Sequence, residues 1–194
     1  MNLPNKLTLI RMLLIPFMVV VAEIGYFQGI NVIYDISLAN ILVLIIFSIA
    51  SFTDFLDGHI ARRDHLVTDF GKFMDPLADK LLVFAALIIL VEQEKLPGWI
   101  VTIIIAREFM VTGIRLLAAN QKIVIAASNL GKAKTISQIV TIIVLLINGF
   151  PFFLISKTLA TIVCQVLIYL SALLTLVSGI DYFMKNRKII FNSY

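Results

Sequence analysis

Six apolar segments divide this chain, and each is close to the ~20 residues that a helix needs to cross a hydrocarbon layer. They run about 7–24, 37–62, 69–91, 98–119, 132–153 and 157–184. Hydrophobic residues fill 60% of the 194 positions and charged ones only 14%, against about 25% charged in an ordinary soluble domain. A soluble fold of this size cannot hide so much apolar surface. The expectation is therefore an all-α polytopic membrane protein with six transmembrane helices, forming one integral domain over 1–194. Pro16 marks a kink in the first segment. The start, MNLPNKLTLIR, carries no basic region followed by a small-residue cleavage site, so no removed signal peptide is expected. The single cysteine, Cys164, lies in an apolar run without a disulfide partner and reads as a small core or lipid-facing residue.

One polar stretch interrupts this pattern, Ser51 to Lys80, with six aspartates at 54, 57, 64, 69, 75 and 79. Asp54 and Asp57 are three apart, and Asp75 and Asp79 four apart, so each pair shares one helix face. Two helices joined near 63–68 would point four carboxylates at a common space. Unpaired charges at membrane depth are costly, so the cluster needs a cation. Oxygen-only ligands suit Mg²⁺, Mn²⁺ or Ca²⁺ rather than zinc. Gly58, Ala61 and Gly71 keep that face small, which admits a ligand close to the backbone or lets two helices approach. Arg62 beside them has the fork geometry for a phosphate, or snorkels to the cytoplasm. Asp64 and Asp69 lie nearer the loop, where a solvated or capping role fits. No residue suggests a covalent phospho-enzyme; of the only two histidines, His59 and His65, the first can face the other side of the groove, and a catalytic role is not expected for it.

Basic residues set the orientation. All 16 lysines and arginines except Lys95 and Lys157 fall on the side that holds the N-terminus, the second–third and fourth–fifth connections and the C-terminus. The positive-inside rule puts that side, and the aspartate cluster with it, in the cytoplasm.

The full spacing is Asp54-x2-Asp57-Gly58-x2-Ala61-Arg62-x8-Gly71-x3-Asp75-x3-Asp79. It resembles the signature of the CDP-alcohol phosphotransferases, with all eight fixed positions filled. The resemblance implies a six-helix membrane bundle, usually a homodimer, with a site for two divalent cations, Mg²⁺ or Mn²⁺. It implies Asp54, Asp57 and Asp75 as metal ligands, and Asp79 as both a ligand of the second metal and the base toward an acceptor hydroxyl. Gly58, Arg62 and Thr68 match positions that hold the CDP part of the donor, with Ala61 and Gly71 completing the donor groove. The segment Pro4-Asn5-Lys6-Leu7-Thr8 resembles the part of the family that lies over the nucleotide, which adds Asn5 and Thr8.

The acceptor is read from charge as well as resemblance. Arg107 and Arg115 in the fourth segment are eight apart, on roughly one helix face, and Lys132 and Lys134 open the fifth on the same side of the membrane. Intramembrane arginines need anionic partners; Glu108 answers one of them, and the remaining charge suits a phosphorylated acceptor. AREFMVTGIR (106–115) and AASNLGKAKT (126–135) resemble the phosphatidylglycerophosphate synthase branch of the family. That implies CDP-diacylglycerol as donor, glycerol 3-phosphate as acceptor, and membrane lipids as surroundings, in a bacterial cytoplasmic membrane. No nucleic-acid partner is expected. Three alternatives stand beside this reading. One is a sister enzyme using inositol phosphate or serine. The second is an intramembrane prenyltransferase, for which six spans are too few. The third is a cation transporter or channel, against which spans five and six are nearly free of ionisable groups. Asp181 is expected to answer Lys185 one turn later.

Overall fold

The computed structural model describes residues 3–33, 35–63, 69–126 and 128–191; the side chains at 3, 4, 54–73, 188, 190 and 191 lie outside the described set. Among the described residues are seven α-helices, a two-stranded antiparallel hairpin and one 3-10 turn. The helices are α1 (Leu3–Glu23), α2 (Gly25–Gln28), α3 (Leu38–Arg63), α4 (Asp69–Glu92), α5 (Gly98–Asn120), α6 (Asn129–Leu146) and α7 (Lys157–Phe191). The hairpin joins β1 (Asn31–Ile33) to β2 (Ile36–Ser37), with Asp35 at φ 60° in its turn.

Each of the six expected segments corresponds to one long helix, which makes this an all-α membrane protein. In α1, α6 and α7 the described residues include windows long and apolar enough to cross a bilayer. The first connection is more ordered than a plain loop, since it holds α2 and the hairpin. The fifth segment stops at Leu146 rather than Phe153. The reason is local: Pro151 lacks an N–H and disfavours a helical residue before it, and Gly149 takes φ +75° in the turn. The sixth runs past Met184 to Phe191, so the basic tail continues the helix. There Lys185 meets Asp181 at 2.9 Å, as the spacing predicts.

The chain forms two compact units, residues 1–93 with 146–148, and residues 94–145 with 149–194. In the first, α1 packs on α3 and α4. Met18 and Ala22 of α1, Val43 and Phe47 of α3, and Ala86 and Leu90 of α4 are fully buried or nearly so. In the second, α5 packs along α7, burying Ile100, Ile104 and Ile114 with Ala172 and Tyr182. Polar groups are used inside this unit: Gln138 of α6 donates to Thr175 of α7 at 3.2 Å, and Thr141 to the Leu167 carbonyl at 3.2 Å. Large apolar side chains such as Leu13, Ile88, Leu116 and Ile180 point outward. Polar inside and apolar outside is the arrangement that a lipid solvent favours.

Candidate functional site

The acidic site is built on α4 and steadied by α1. Asp75 and Asp79 lie one turn apart, and both meet the same face of α1. Thr8 Oγ1 donates to Asp75 Oδ1 at 2.6 Å, and Arg11 Nη1 donates to Asp79 Oδ1 at 2.9 Å. Thr8 and Arg11 are also one turn apart, so the two helices match contact for contact. Asn5, Thr8 and Arg11 follow one another at three-residue steps, and all three are buried in a helix whose only other charged residues are Lys6 and Glu23 near its ends. Packing around Thr8 and Arg11 holds both as fixed donors to the carboxylates of α4. Pro76 sits between the two carboxylates and lacks an N–H, so the helix carbonyl one turn earlier loses its usual donor at this level.

Asp75 is half-buried, and the Asp79 side chain keeps 44% of its surface exposed despite its arginine partner. An accessible pair of carboxylates, each oriented by a bond to one oxygen, suits a hard divalent cation by its chemistry. On the neighbouring helix, the α3 backbone is helical through Arg63, so Asp54 and Asp57 keep the one-turn spacing that the sequence predicts. The side chains of Asp54, Asp57, Gly58, Ala61, Arg62 and Gly71 lie outside the described set, and Asp64, His65 and Thr68 lie outside the described residues altogether.

The second unit carries a cationic cluster. Glu108 Oε1 accepts from Arg107 Nη1 at 2.8 Å and also from the buried ammonium of Lys134 on α6. Two cations therefore share one carboxylate oxygen, with side-chain exposures of 11% for Arg107, 5% for Lys134 and 15% for Glu108. Ser128 caps α6, its Oγ accepting from the Gly131 N–H at 3.1 Å, which sets the start of the helix that carries Lys134. Gly179 of α7 lets that helix approach Arg107: a β-carbon there would lie 3.0 Å from Arg107 Cγ. An apolar groove of about 460 Å³ opens beside Arg107, walled by Ile103 and Met110 of α5 and Leu176 and Ile180 of α7.

Of the four cationic residues expected to act together, Arg107 and Lys134 are joined through Glu108. Arg115 lies instead against Tyr182, with Nε 3.3 Å from the phenol oxygen and the guanidinium 5.8 Å from the ring centroid. Lys132 is exposed. Two participants go beyond the sequence-based set. Arg11 was legible as a third polar position on the Asn5–Thr8 face of an apolar helix; Tyr182 carries no such signal.

An all-α membrane protein with an accessible pair of carboxylates in one unit and a buried cluster of cations in the other is the class defined so far. A family model for CDP-alcohol phosphatidyltransferases matches residues 1–177. The chain is 48% identical over 187 residues to a Bacillus subtilis protein named CDP-diacylglycerol–glycerol-3-phosphate 3-phosphatidyltransferase, covering 95% of both. It is 36% identical to a Rickettsia felis protein of the same name, covering 96% of both. It is 38% identical to a probable phosphatidylglycerophosphate synthase of Mycobacterium tuberculosis, covering 93% of this chain and 79% of that one. The chain belongs to the CDP-alcohol phosphatidyltransferase family.

Proposed function

We propose that this enzyme transfers the phosphatidyl group of CDP-diacylglycerol to glycerol 3-phosphate, giving phosphatidylglycerol phosphate and CMP. The observation that carries the reading is the 48% identity, over 95% of both chains, to a relative named for that reaction. The chemistry of the residues supports it. The donor has lipid tails, which call for a membrane site, and a pyrophosphate, which calls for cations. The acceptor carries a phosphate, which calls for a cluster such as Arg107 and Lys134.

The whole chain, 1–194, acts as one catalytic domain, as a homodimer in a bacterial cytoplasmic membrane, with its active site facing the cytoplasm. Basic residues gathered on one side support that orientation. Asp54, Asp57, Asp75 and Asp79 would hold two divalent cations, Mg²⁺ or Mn²⁺. When bound, these supply positive charge to the pyrophosphate and to the departing CMP. Asn5, Thr8, Gly58, Ala61, Arg62, Thr68 and Gly71 line the donor site. Thr8 does so while its hydroxyl orients Asp75. Arg107 and Lys134 bind the acceptor phosphate; Arg115, which lies against Tyr182, and the exposed Lys132 are its further cationic candidates.

The acceptor hydroxyl oxygen bonds to the lipid-side phosphorus, the bond from that phosphorus to CMP breaks, and the hydroxyl proton passes to a carboxylate oxygen of Asp79. A free aspartate, with a pKa of about 3.9, is a weak base toward an alcohol. Its contribution is position: a negative oxygen held where the proton is released.

The test is CMP release from purified protein supplied with CDP-diacylglycerol and Mg²⁺ or Mn²⁺. Release that requires glycerol 3-phosphate is expected. Release with serine or inositol phosphate instead would keep the family and overturn the acceptor, and no release with any acceptor would overturn the reading.

A further inference from the structure

Arg11 heads the fully buried side chains by size, and its guanidinium end meets Asp79 at 2.9 Å. None of the roles assigned above uses it. Stability is a poor account of its place, because burying the guanidinium costs desolvation that a half-exposed carboxylate partner only partly offsets. What a buried guanidinium supplies is geometry: a donor nitrogen immobilised by packing, which holds one oxygen of the carboxylate it meets in place. Asp79 needs that, since 44% of its side chain is exposed and a solvated carboxylate turns easily about its terminal torsion. Thr8 treats Asp75 in the same way one turn earlier. We infer that Arg11 is a positioning residue, which fixes from α1 the orientation of the carboxylate that takes the acceptor's proton. This rests on the assignment of Asp79 as that carboxylate.

The full-length protein in detergent, with R11M, R11K, D79N and the R11M/D79N double variant, tests it. Steady-state transfer and Mn²⁺ affinity, read from the resonance of free Mn²⁺, are measured for each. In R11M, kcat should fall by about 100-fold while KM for the donor stays within about threefold, because a small misplacement of a reacting group is that costly. Mn²⁺ affinity of R11M should stay within about tenfold of the parent, far less than the loss in kcat, since Asp79 is one of four carboxylates and loss of the group that orients one ligand costs about that much. A residue that merely held the helices together would instead weaken metal binding along with turnover. R11K keeps the charge but not the fork, and should recover about tenfold of the loss. In the D79N background, R11M should add nothing, because the residue that it orients is already disabled.

A parent-like kcat in R11M would overturn the inference. So would weaker Mn²⁺ binding in step with kcat, or losses that add in the double variant. A raised donor KM with unchanged kcat would move Arg11 to the donor site. Should R11M fail to fold, R11K carries the test alone: kcat reduced about tenfold with intact Mn²⁺ binding supports positioning, and parent-like kcat overturns it. Parent-like transfer by D79N would sink the base assignment instead, a result separate from any outcome for Arg11.

Discussion

The two compact units handle charge in opposite ways. In the first, carboxylates on α4 are accessible, and their donors are buried on α1, 67 and 68 residues away in sequence. In the second, the cations are the concentrated charge, and one carboxylate, adjacent to Arg107 in sequence, answers two of them. The first arrangement presents negative charge to a ligand and keeps the positive charge inside. The second gathers an excess of positive charge around one carboxylate, with all three side chains largely buried. In the first unit buried donors fix accessible carboxylates, whereas in the second the cations and their carboxylate are buried together.

Asp75→Asn breaks this contrast most severely. It removes charge from the accessible side, and transfer should fall on the order of 1000-fold or more while the protein still inserts and folds. Parent-like activity would remove Asp75 from the metal site. Glu108→Gln attacks the other unit, leaving Arg107 and Lys134 buried with only a neutral oxygen between them. Breaking such a pair costs about 3 kcal/mol, so the melting temperature in detergent should drop by several degrees. An unchanged melting temperature would mean that the two cations are not held by Glu108. Thr8→Val is subtler, because it removes one hydrogen bond and no charge. Loss of a group that orients a metal ligand typically costs about 10-fold in metal affinity or rate, and Mn²⁺ titration with activity reads both. No change in either would confine Thr8 to packing.

The smallest effect lies at the edge of the second unit, outside the spans. Lys95, between α4 and α5, donates to the Leu145 carbonyl at 3.3 Å, and burial pushes its amine down to about 8. Its folded pKa is thus below its ordinary value of 10.5. The folded protein then binds fewer protons than the unfolded chain between those values, so this group makes stability rise with pH across the window. Below pH 8 the cost of its charge is fully present. Melting temperatures of the parent and Lys95→Met, compared from pH 7 to pH 10, should converge or cross as pH rises. A constant difference would show that Lys95 keeps an ordinary pKa.

Much of this molecule is local and so could be read along the chain. The one-turn spacings of Asp54 with Asp57, and of Asp75 with Asp79, depend only on helical geometry, and the helices are there. The Asp181–Lys185 pair is equally local, and the structure has it. The end of α6 is not legible in hydropathy, because apolar residues continue to Phe153 whereas the backbone follows Gly149 and Pro151. Side-chain partners across helices were the least legible. Arg107 and Arg115 share a spacing that suggests one site, yet one meets Glu108 and the other Tyr182.

By itself the sequence determined the solvent, the long helices and the carboxylates with their spacing, because hydropathy and the helical repeat act over neighbouring residues. Only the tertiary structure decided that Thr8 meets Asp75, that Arg11 meets Asp79, and that Arg107 shares Glu108 with Lys134. Those pairings depend on how helices distant in sequence slide and rotate against one another. Packing of side chains such as Met18, Phe47 and Leu90 settles that register in the first unit, and no local rule contains it.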